Sequence, residues 1–221
     1  MSLATYLYDV RTLPGDALLA YGAEGLRGAW KAVAGRSLHR VVRSGRLIIF
    51  AHRLDQLVEV PAPAGVRITL AREEDAPALA SLVGRRELRR FGAWLTAGRR
   101  CLVAWRGAAP VGYAWVAHPI GPDVALWPLP FAFPSSAAYL WNLYVLPSER
   151  STGIGSALAA ARLRLARDAG LQEGWRMVAP SNAPSLRTVQ KSTAGTRVVG
   201  ELRFIQLLGR NFARFTPAKA G

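Results

Sequence analysis

The sequence is poor in cysteine and histidine, and these shortages exclude several classes of protein. Its 221 residues include one cysteine, Cys101, and three histidines, His39, His52 and His118. A single cysteine cannot form an internal disulfide, and the separated histidines lack the spacing of metal ligands. We therefore expect neither a disulfide framework nor a bound metal. Cys101 lies in the apolar run CLVAW, which predicts a buried and unreactive thiol.

Long apolar runs are also missing. The most apolar stretch, residues 124–145, is interrupted by three prolines and by polar side chains, so we do not expect it to span a membrane. The first residues lack a basic segment followed by an apolar one, and no secretory signal is visible. With 51% hydrophobic and 19% charged residues, the composition is that of a folded globular protein. We predict a cytoplasmic protein.

Acidic residues are scarce relative to basic ones. There are 14 acidic residues against 29 basic ones, and the formal net charge is +15. Only three of the basic residues are lysine, and arginine in a chain rich in alanine and glycine is typical of a GC-rich coding sequence. The charge favours negatively charged ligands. No known nucleic-acid-binding motif accompanies this charge. Nucleic-acid binding is therefore the last of the three functional hypotheses considered for this chain, and it is based on the arginines at 36, 40, 43, 85, 86, 89 and 90.

A short proline-rich segment, VPAPAG at residues 60–65, separates two differently patterned regions. We predict an N-terminal extension over residues 1–61, with a helix that begins at Asp16 and a strand at Leu47–Ala51. The main domain is predicted over residues 62–221. The sequence does not choose between three roles for the extension: homodimerisation, cover of a substrate cleft, and docking of a partner.

The main domain alternates strands and helices. Its predicted order is strand, helix, three strands, helix, strand, helix and two strands, which indicates an α/β (α+β) fold with a mixed sheet and helices against its faces. The helices are predicted to run from Asp75 towards Arg90, from the SERSTGIGS turn to about Asp168, and onward from Asn182. The predicted strands are Val66–Leu70, Arg100–Trp105, Val111–Ala117, Ala138–Leu146, Arg176–Ala179, Arg197–Val199 and Leu202–Leu208.

A proline- and aromatic-rich insertion, residues 118–136, precedes the fourth of these strands. Its Trp127, Phe131 and Phe133 either line an apolar pocket or cover the core. The prolines make this segment stiff in both cases.

The stretch YLWNLYVLPSERSTGIGSAL, Tyr139 to Leu158, predicts a strand that runs into a glycine-containing turn at the start of a helix. The first backbone N–H groups of a helix have no partner within it and lie at the positive end of its dipole, where they bind phosphate oxygens. Gly153 and Gly155 permit close approach of a ligand to the backbone, while Thr152 and Ser156 add hydroxyl donors.

Three phosphate-binding motifs are candidates for this turn. The nucleotide P-loop needs a lysine after its second glycine, and none is present. The dinucleotide fingerprint needs a third small residue and an acid that ends a second strand, whereas this chain has Leu158 and a helical Asp168. The third motif, Arg-x-x-Gly-x-Gly, is met in full by Arg150, Gly153 and Gly155. It resembles the acyl-CoA pyrophosphate loop of the GNAT superfamily of N-acetyltransferases.

The resemblance covers about residues 66–209 and includes the order of elements and Asn182. It implies a GNAT-like, mostly antiparallel sheet with a splayed central strand pair. It also implies an acyltransferase that moves an acetyl or other short acyl group from acetyl-CoA or a related acyl-CoA to an amine, without a metal. The pantetheine arm would lie along Leu143, Tyr144 and Val145, with Asn182 facing it. The pyrophosphate would lie on Arg150, Ser151, Thr152, Gly153, Ile154, Gly155 and Ser156.

The chain departs from the family pattern in two respects. Many relatives have acidic residues just before the LYV strand, where this chain has Trp141 and Asn142. Many also have a tyrosine seven residues after the asparagine, where this chain has Val189. The usual general base and acid are therefore missing, so the second hypothesis is a CoA-binding sensor or partner domain without catalysis. The side chains that the sequence offers as catalytic substitutes are Asn142, Tyr144 and His118.

Overall fold

The computed structural model describes four segments of the chain: residues 42–120, 129–191, 193–207 and 210–218. The helix predicted from Asp16 lies outside these segments. Asp123 and Trp127 of the insertion lie outside them as well. The N-terminal extension over residues 1–61 therefore stays a prediction.

The chain divides into two compact units. The larger comprises residues 47–202 and 215–221, and the smaller comprises residues 1–46 and 203–214. The described residues contain three α-helices, namely α1 (Ala76–Thr96), α2 (Ile154–Asp168) and α3 (Ala183–Lys191). They also contain eight strands: β1 (Val42–Arg53), β2 (Val66–Leu70), β3 (Arg100–Arg106), β4 (Ala109–Ala117), β5 (Ala137–Val145), β6 (Glu173–Val178), β7 (Thr196–Leu207) and β8 (Arg210–Pro217).

The strands form one sheet in the order β2-β3-β4-β5-β6-β1-β7-β8. The pairs β2–β3, β3–β4, β4–β5 and β6–β1 are antiparallel, and β5–β6 is parallel. The predicted class, a mixed and mostly antiparallel sheet with helices, is confirmed.

The central strands β3 and β4 are buried on both faces because a helix covers each face. On one face, Leu102 and Ala114 pack with Leu158 of α2. On the other, Cys101 and Trp115 pack in a cluster with α1. Alternate residues of one strand therefore enter opposite halves of the core. As predicted, the Cys101 side chain is buried, and burial raises the pKa of its thiol, which makes it unreactive.

The end of the sheet differs from the sequence prediction. The predicted strands at Arg197–Val199 and Leu202–Leu208 are one continuous strand, β7, and β8 was not predicted. In the sequence, Gly200 separates the two predicted strands and resembles a turn residue. In the structure it lies within β7. A Cβ atom at Gly200 would collide with the carbonyl oxygen of Thr216 and the ring of Phe215. The glycine therefore permits close packing of backbone instead of a turn.

The first helix is longer than predicted. It continues beyond Arg90 to Thr96. Phe91 is buried with 1% of its surface exposed, and its ring centroid lies 5.8 Å from that of Trp94. These aromatic contacts extend the apolar face of α1 by more than one turn.

Gly112 on β4 provides a test of the packing between β4 and β5. A Cβ atom there would lie 2.8 Å from the carbonyl oxygen of Tyr144 and 3.2 Å from Leu158 Cδ1. We predict that Gly112→Ala lowers the free energy of unfolding by about 1–3 kcal/mol in urea denaturation, because the backbone of β5 must shift. Gly92 on α1 has open space around it and is the control. Gly92→Ala should raise stability by about 0.5–1 kcal/mol, and a similar change for both variants would contradict this packing.

Candidate active site

A β-bulge interrupts the pairing of β5 with β4. Tyr113 pairs with Tyr144 and Trp115 pairs with Trp141, so two residues of β5 oppose Ala114 alone. One of these two residues, Asn142, has φ of 45°. The bulge redirects the end of β5 and leaves part of its backbone outside the ladder.

On its other side, β5 separates from β6. Pairing is limited to Ala137–Tyr139 with Glu173–Trp175. From residue 140 to residue 145, β5 continues beside a gap that opens towards the carboxyl end of both strands. The splayed strand pair implied by the family resemblance is therefore present. Backbone groups that face such a gap need partners from a ligand or from water.

The turn after β5 presents a row of backbone N–H groups. A 3-10 turn at Pro147–Glu149 leads to Ser151 with φ of 65° and Gly153 with φ of 93°, and α2 then begins at Ile154. Residues 151–153 are exposed. Among the described residues, the N–H groups of 151–156 find no hydrogen-bond acceptor, and the first bond of the helix joins Ala157 N–H to the carbonyl of Gly153 at 3.0 Å. The turn can therefore bind an anion through main-chain donors.

Side chains fix this turn in place. Arg106 makes two hydrogen bonds to the Glu149 carboxylate, at 3.0 and 2.8 Å, and thereby lowers the pKa of that carboxyl group. The Thr152 hydroxyl donates to the carbonyl of Glu149 at 2.7 Å, and Arg150 Nε donates to the carbonyl of Val145 at 3.3 Å. Sequence reasoning missed Arg106, because it lies 43 residues before Glu149 and in a different hairpin.

Comparison with known proteins identifies the family. Residues 68–193 match the model described as the acetyltransferase (GNAT) family. The chain belongs to the GNAT family. Among curated proteins, no sequence matches this chain.

Several solved structures share the fold of this chain. A glucosamine N-acetyltransferase region in a fungal multi-domain β-N-acetylglucosaminidase is 15% identical over 83% of this chain and 23% of that one, with a TM-score of 0.57. A GNAT protein from Sphaerobacter thermophilus is 17% identical over 85% of this chain and 57% of that one, with a TM-score of 0.51. A functionally unknown protein from Staphylococcus epidermidis is 14% identical over 80% of this chain and 65% of that one, with a TM-score of 0.52. This chain spans less than two thirds of each.

Asn182, the asparagine typical of GNAT proteins, begins α3. Its side-chain oxygen accepts a hydrogen bond of 3.1 Å from the backbone N–H of Ser185, and its carbonyl accepts one of 3.0 Å from Leu186. The predicted N-terminus of the helix is confirmed. Asn182 is exposed, so its amide group is accessible to a ligand. Its role towards a pantetheine arm stays a prediction.

Two of the three predicted catalytic substitutes lie together. The Tyr113 hydroxyl donates to the side-chain oxygen of Asn142 at 3.4 Å, and the rings of Tyr113 and Tyr144 stack with centroids 5.7 Å apart. His118 lies elsewhere, with its Nδ1 3.3 Å from the carbonyl oxygen of Ala137 at the start of β5. Since strands rise about 3.3 Å per residue, His118 is on the order of 20 Å from Tyr144 along β5. Sequence reasoning did not single out Tyr113.

Trp141, at one of the usual base positions, and Val189, at the usual acid position, are apolar and packed. The Trp141 ring lies 5.6 Å from that of Trp115, 5.7 Å from that of Trp94 and 5.9 Å from that of Tyr139. Val189 is only 2% exposed and packs in an apolar cluster. Neither position offers a group that transfers protons.

The described part of the aromatic insertion packs on the fold. The Phe131 ring lies 4.9 Å from that of Phe215 and 6.4 Å from that of Trp175, while Phe133 lies 5.2 Å from Tyr139. These contacts favour the interpretation that the insertion covers the core.

No group of three or more histidine, cysteine, aspartate or glutamate side chains comes together among the described residues as a candidate metal site. No helix in the described segments combines the length and apolarity needed to cross a membrane.

His52 is a fully buried residue that sequence reasoning left without a role. Its Nε2 accepts a hydrogen bond of 2.8 Å from Arg176 Nε, so its proton is on Nδ1, which donates to the Thr196 hydroxyl at 3.0 Å. Burial, and then the charges of Arg176 and Arg162, lower the pKa of His52 to about 2. The imidazole is therefore neutral at physiological pH.

The neutral His52 makes stability dependent on pH. Its folded-state pKa lies below the unfolded value of about 6.5, so the unfolded chain takes up a proton first as the pH falls. Between pH 7.5 and 5.5 we predict a loss of about 1.4 kcal/mol in unfolding free energy from this residue, measured by urea denaturation. His52→Gln should remove that part of the loss, and His118→Gln should retain it. Equal pH dependence in wild type and His52→Gln would contradict the assignment.

Proposed function

We propose that this GNAT protein transfers an acetyl or another short acyl group from acyl-CoA to an amine. The observation that carries the proposal is the row of N–H groups at residues 151–156, which have no acceptor among the described residues and stand at the exposed start of α2. Diphosphate oxygens are the ligand that such a row binds best, because several aligned donors and the helix dipole act on the same charge. The basic composition of the chain supports the same preference.

The geometry supports one direction for the donor substrate. With its pyrophosphate on residues 151–156, the pantetheine arm would enter the gap along Leu143, Tyr144 and Val145, where the β6 side of β5 is unpaired. Asn182 at the start of α3 would face the arm, and Arg150 would add charge near the pyrophosphate. The thioester would then lie between β5 and β6.

The reaction requires the amine nitrogen to attack the thioester carbonyl carbon. The bond from that carbon to sulfur breaks, and the departing thiolate takes up a proton while the amine loses one. An amine with a pKa of about 10.4 is mostly protonated at neutral pH. Because Trp141 and Val189 cannot move protons, solvent would accept the proton, and alignment of the reactants would provide most of the acceleration.

Acyl-CoA binding is tested by calorimetry on the intact chain. We predict that acetyl-CoA binds the wild type and that Gly155→Glu weakens binding at least thirtyfold, because a carboxylate enters the phosphate site. Gly155→Ala is the matched control, since a Cβ atom there makes only an ordinary contact of 3.8 Å with Val145 Cγ2. The proposal fails if the wild type does not bind acetyl-CoA or if Gly155→Glu binds as well as Gly155→Ala.

The alternative function, a CoA-binding sensor without catalysis, is favoured by the packed Trp141 and by Val189. A screen of amines that follows thiol release distinguishes the two functions. For the enzyme we expect release whose rate rises about tenfold per pH unit below the pKa of the amine, since solvent is the base. If the rate of thiol release instead reaches a plateau governed by a group that titrates near pH 7, a side chain of the protein is the general base. No release with any amine would leave the sensor function.

Three expectations from the sequence remain proposals. They are the boundary between residues 61 and 62, a homodimer and a cytoplasmic location. For the nucleic-acid hypothesis, the side chains of the arginines concerned lie outside those that the structure describes.

A further inference from the structure

Three basic side chains are buried in the interior of the larger unit: His52 on β1, Arg162 on α2 and Arg176 on β6. Their exposed fractions are 0%, 4% and 4%. Arg176 Nε donates to His52 Nε2 at 2.8 Å, and the charges of both arginines act on His52. We refer to these three residues as the basic cluster.

The basic cluster has no negative partner among the described residues. Arg162 Nε and Arg176 Nη2 are buried without a hydrogen-bond partner, and the ion pairs of the described residues involve other arginines. Glu173, the acidic residue of β6, already accepts hydrogen bonds from Trp175 Nε1 and from Arg197 Nη2, each at 2.8 Å. The positive charge is therefore not neutralised from within the described fold.

The basic cluster lowers the stability of the unliganded protein. Burial lowers the pKa of Arg162 to about 10, and burial and the charge of Arg162 lower that of Arg176 to about 8, so both are mostly charged at pH 7. A buried charge without a partner destabilises the fold, and two like charges also repel each other. An anion between the guanidinium groups would remove both penalties and would gain charge-assisted hydrogen bonds.

The backbone of Arg176 lies where the gap between β5 and β6 closes, and its guanidinium contacts His52 of β1 and, through Nη1, the Thr188 hydroxyl of α3 at 3.4 Å. Trp175, which precedes Arg176, pairs with Tyr139 in the last paired position of the two strands. Arg162 is close enough to influence the pKa of Tyr139 electrostatically. The phosphate-binding turn lies at the opposite, open end of the gap. From Tyr139 to Val145 the gap is about 20 Å long at 3.3 Å per residue.

We propose that Arg162 and Arg176 bind a carboxylate at the far end of the acyl group, so that the donor is the CoA thioester of a dicarboxylic acid. This inference rests on the proposed function, because an acyl-CoA held by the turn would direct its acyl end towards the basic cluster. A carboxylate is the chemistry that two guanidinium groups recognise best. A carboxylate on an amino-acid acceptor would be recognised in the same way. The experiment must therefore distinguish a carboxylate of the acyl donor from a carboxylate of the acceptor.

The experiment compares two stable thioether ligands of equal chain length, S-(3-carboxypropyl)-CoA and S-butyl-CoA, by calorimetry at pH 7.5. We expect the wild type to bind the carboxylate ligand at least tenfold more tightly. Arg162→Met should bring that ratio close to one while S-butyl-CoA binds as before. Arg176→Met is a second variant with the same expected result. Arg167→Met is the matched control, because it removes an exposed arginine of the same helix, and it should keep the preference.

The outcomes separate this inference from the proposed function. If neither ligand binds, and free CoA does not bind either, the proposed function fails and the inference fails with it. If both ligands bind equally, CoA binding stands and only the carboxylate site is overturned. If Arg162→Met instead loses a preference for carboxylated amines over their amides in acetyl transfer, the carboxylate belongs to the acceptor and the donor assignment is overturned.

The thermal midpoint of the unliganded variants gives an independent readout. Methionine in place of Arg162 removes an unpaired buried charge at similar length, so the midpoint should stay equal or rise. A large fall would mean that Arg162 has a structural partner, and it would overturn the binding role.

Discussion

The separation of β5 from β6 is the feature on which the rest of the site depends. The two strands pair over Ala137–Tyr139 and Glu173–Trp175 and then diverge. The bulge at Asn142 bends β5 on its other edge, and α2 starts directly beyond the end of the same strand. Continued pairing would satisfy the backbone of β5 but would close the space beside it. The fold therefore leaves the backbone of β5 without pairing to β6 between Tyr139, where the pairing ends, and the start of α2.

The turn between β5 and α2 depends on that geometry and on a partner from another hairpin. Glu149 has a side chain only 18% exposed and is bound by Arg106, whose side chain is 43% exposed. A pair this accessible to solvent contributes little to stability. Its effect is positional, because it holds the residue before Arg150 while Ser151 and Gly153 adopt positive φ. The N–H groups that follow find no acceptor among the described residues.

Local signals explain what the sequence predicted well. Gly153 and Gly155 after an apolar strand indicate the turn, and Asn182 before Pro184 indicates the start of α3, because each signal lies within a few neighbouring residues. Contacts between segments that are distant in the sequence could not be predicted from such local signals. Arg106 reaches Glu149 from another hairpin, and Gly200 resembles a turn until the packing of β8 is known. Periodicity alone cannot reveal such pairings.

The basic cluster also bears on why the chain is rich in arginine. A GC-rich coding sequence explains arginines on the surface, where a charge costs little, but it does not explain two that are buried at 4% exposure. Burial at Arg162 and Arg176 opposes the charged form, and lysine in such a place would lose its proton more readily. Arginine keeps its charge in the interior, at a cost in stability that a bound carboxylate offsets. The residue type therefore fits a requirement for positive charge at neutral pH at the closed end of the gap.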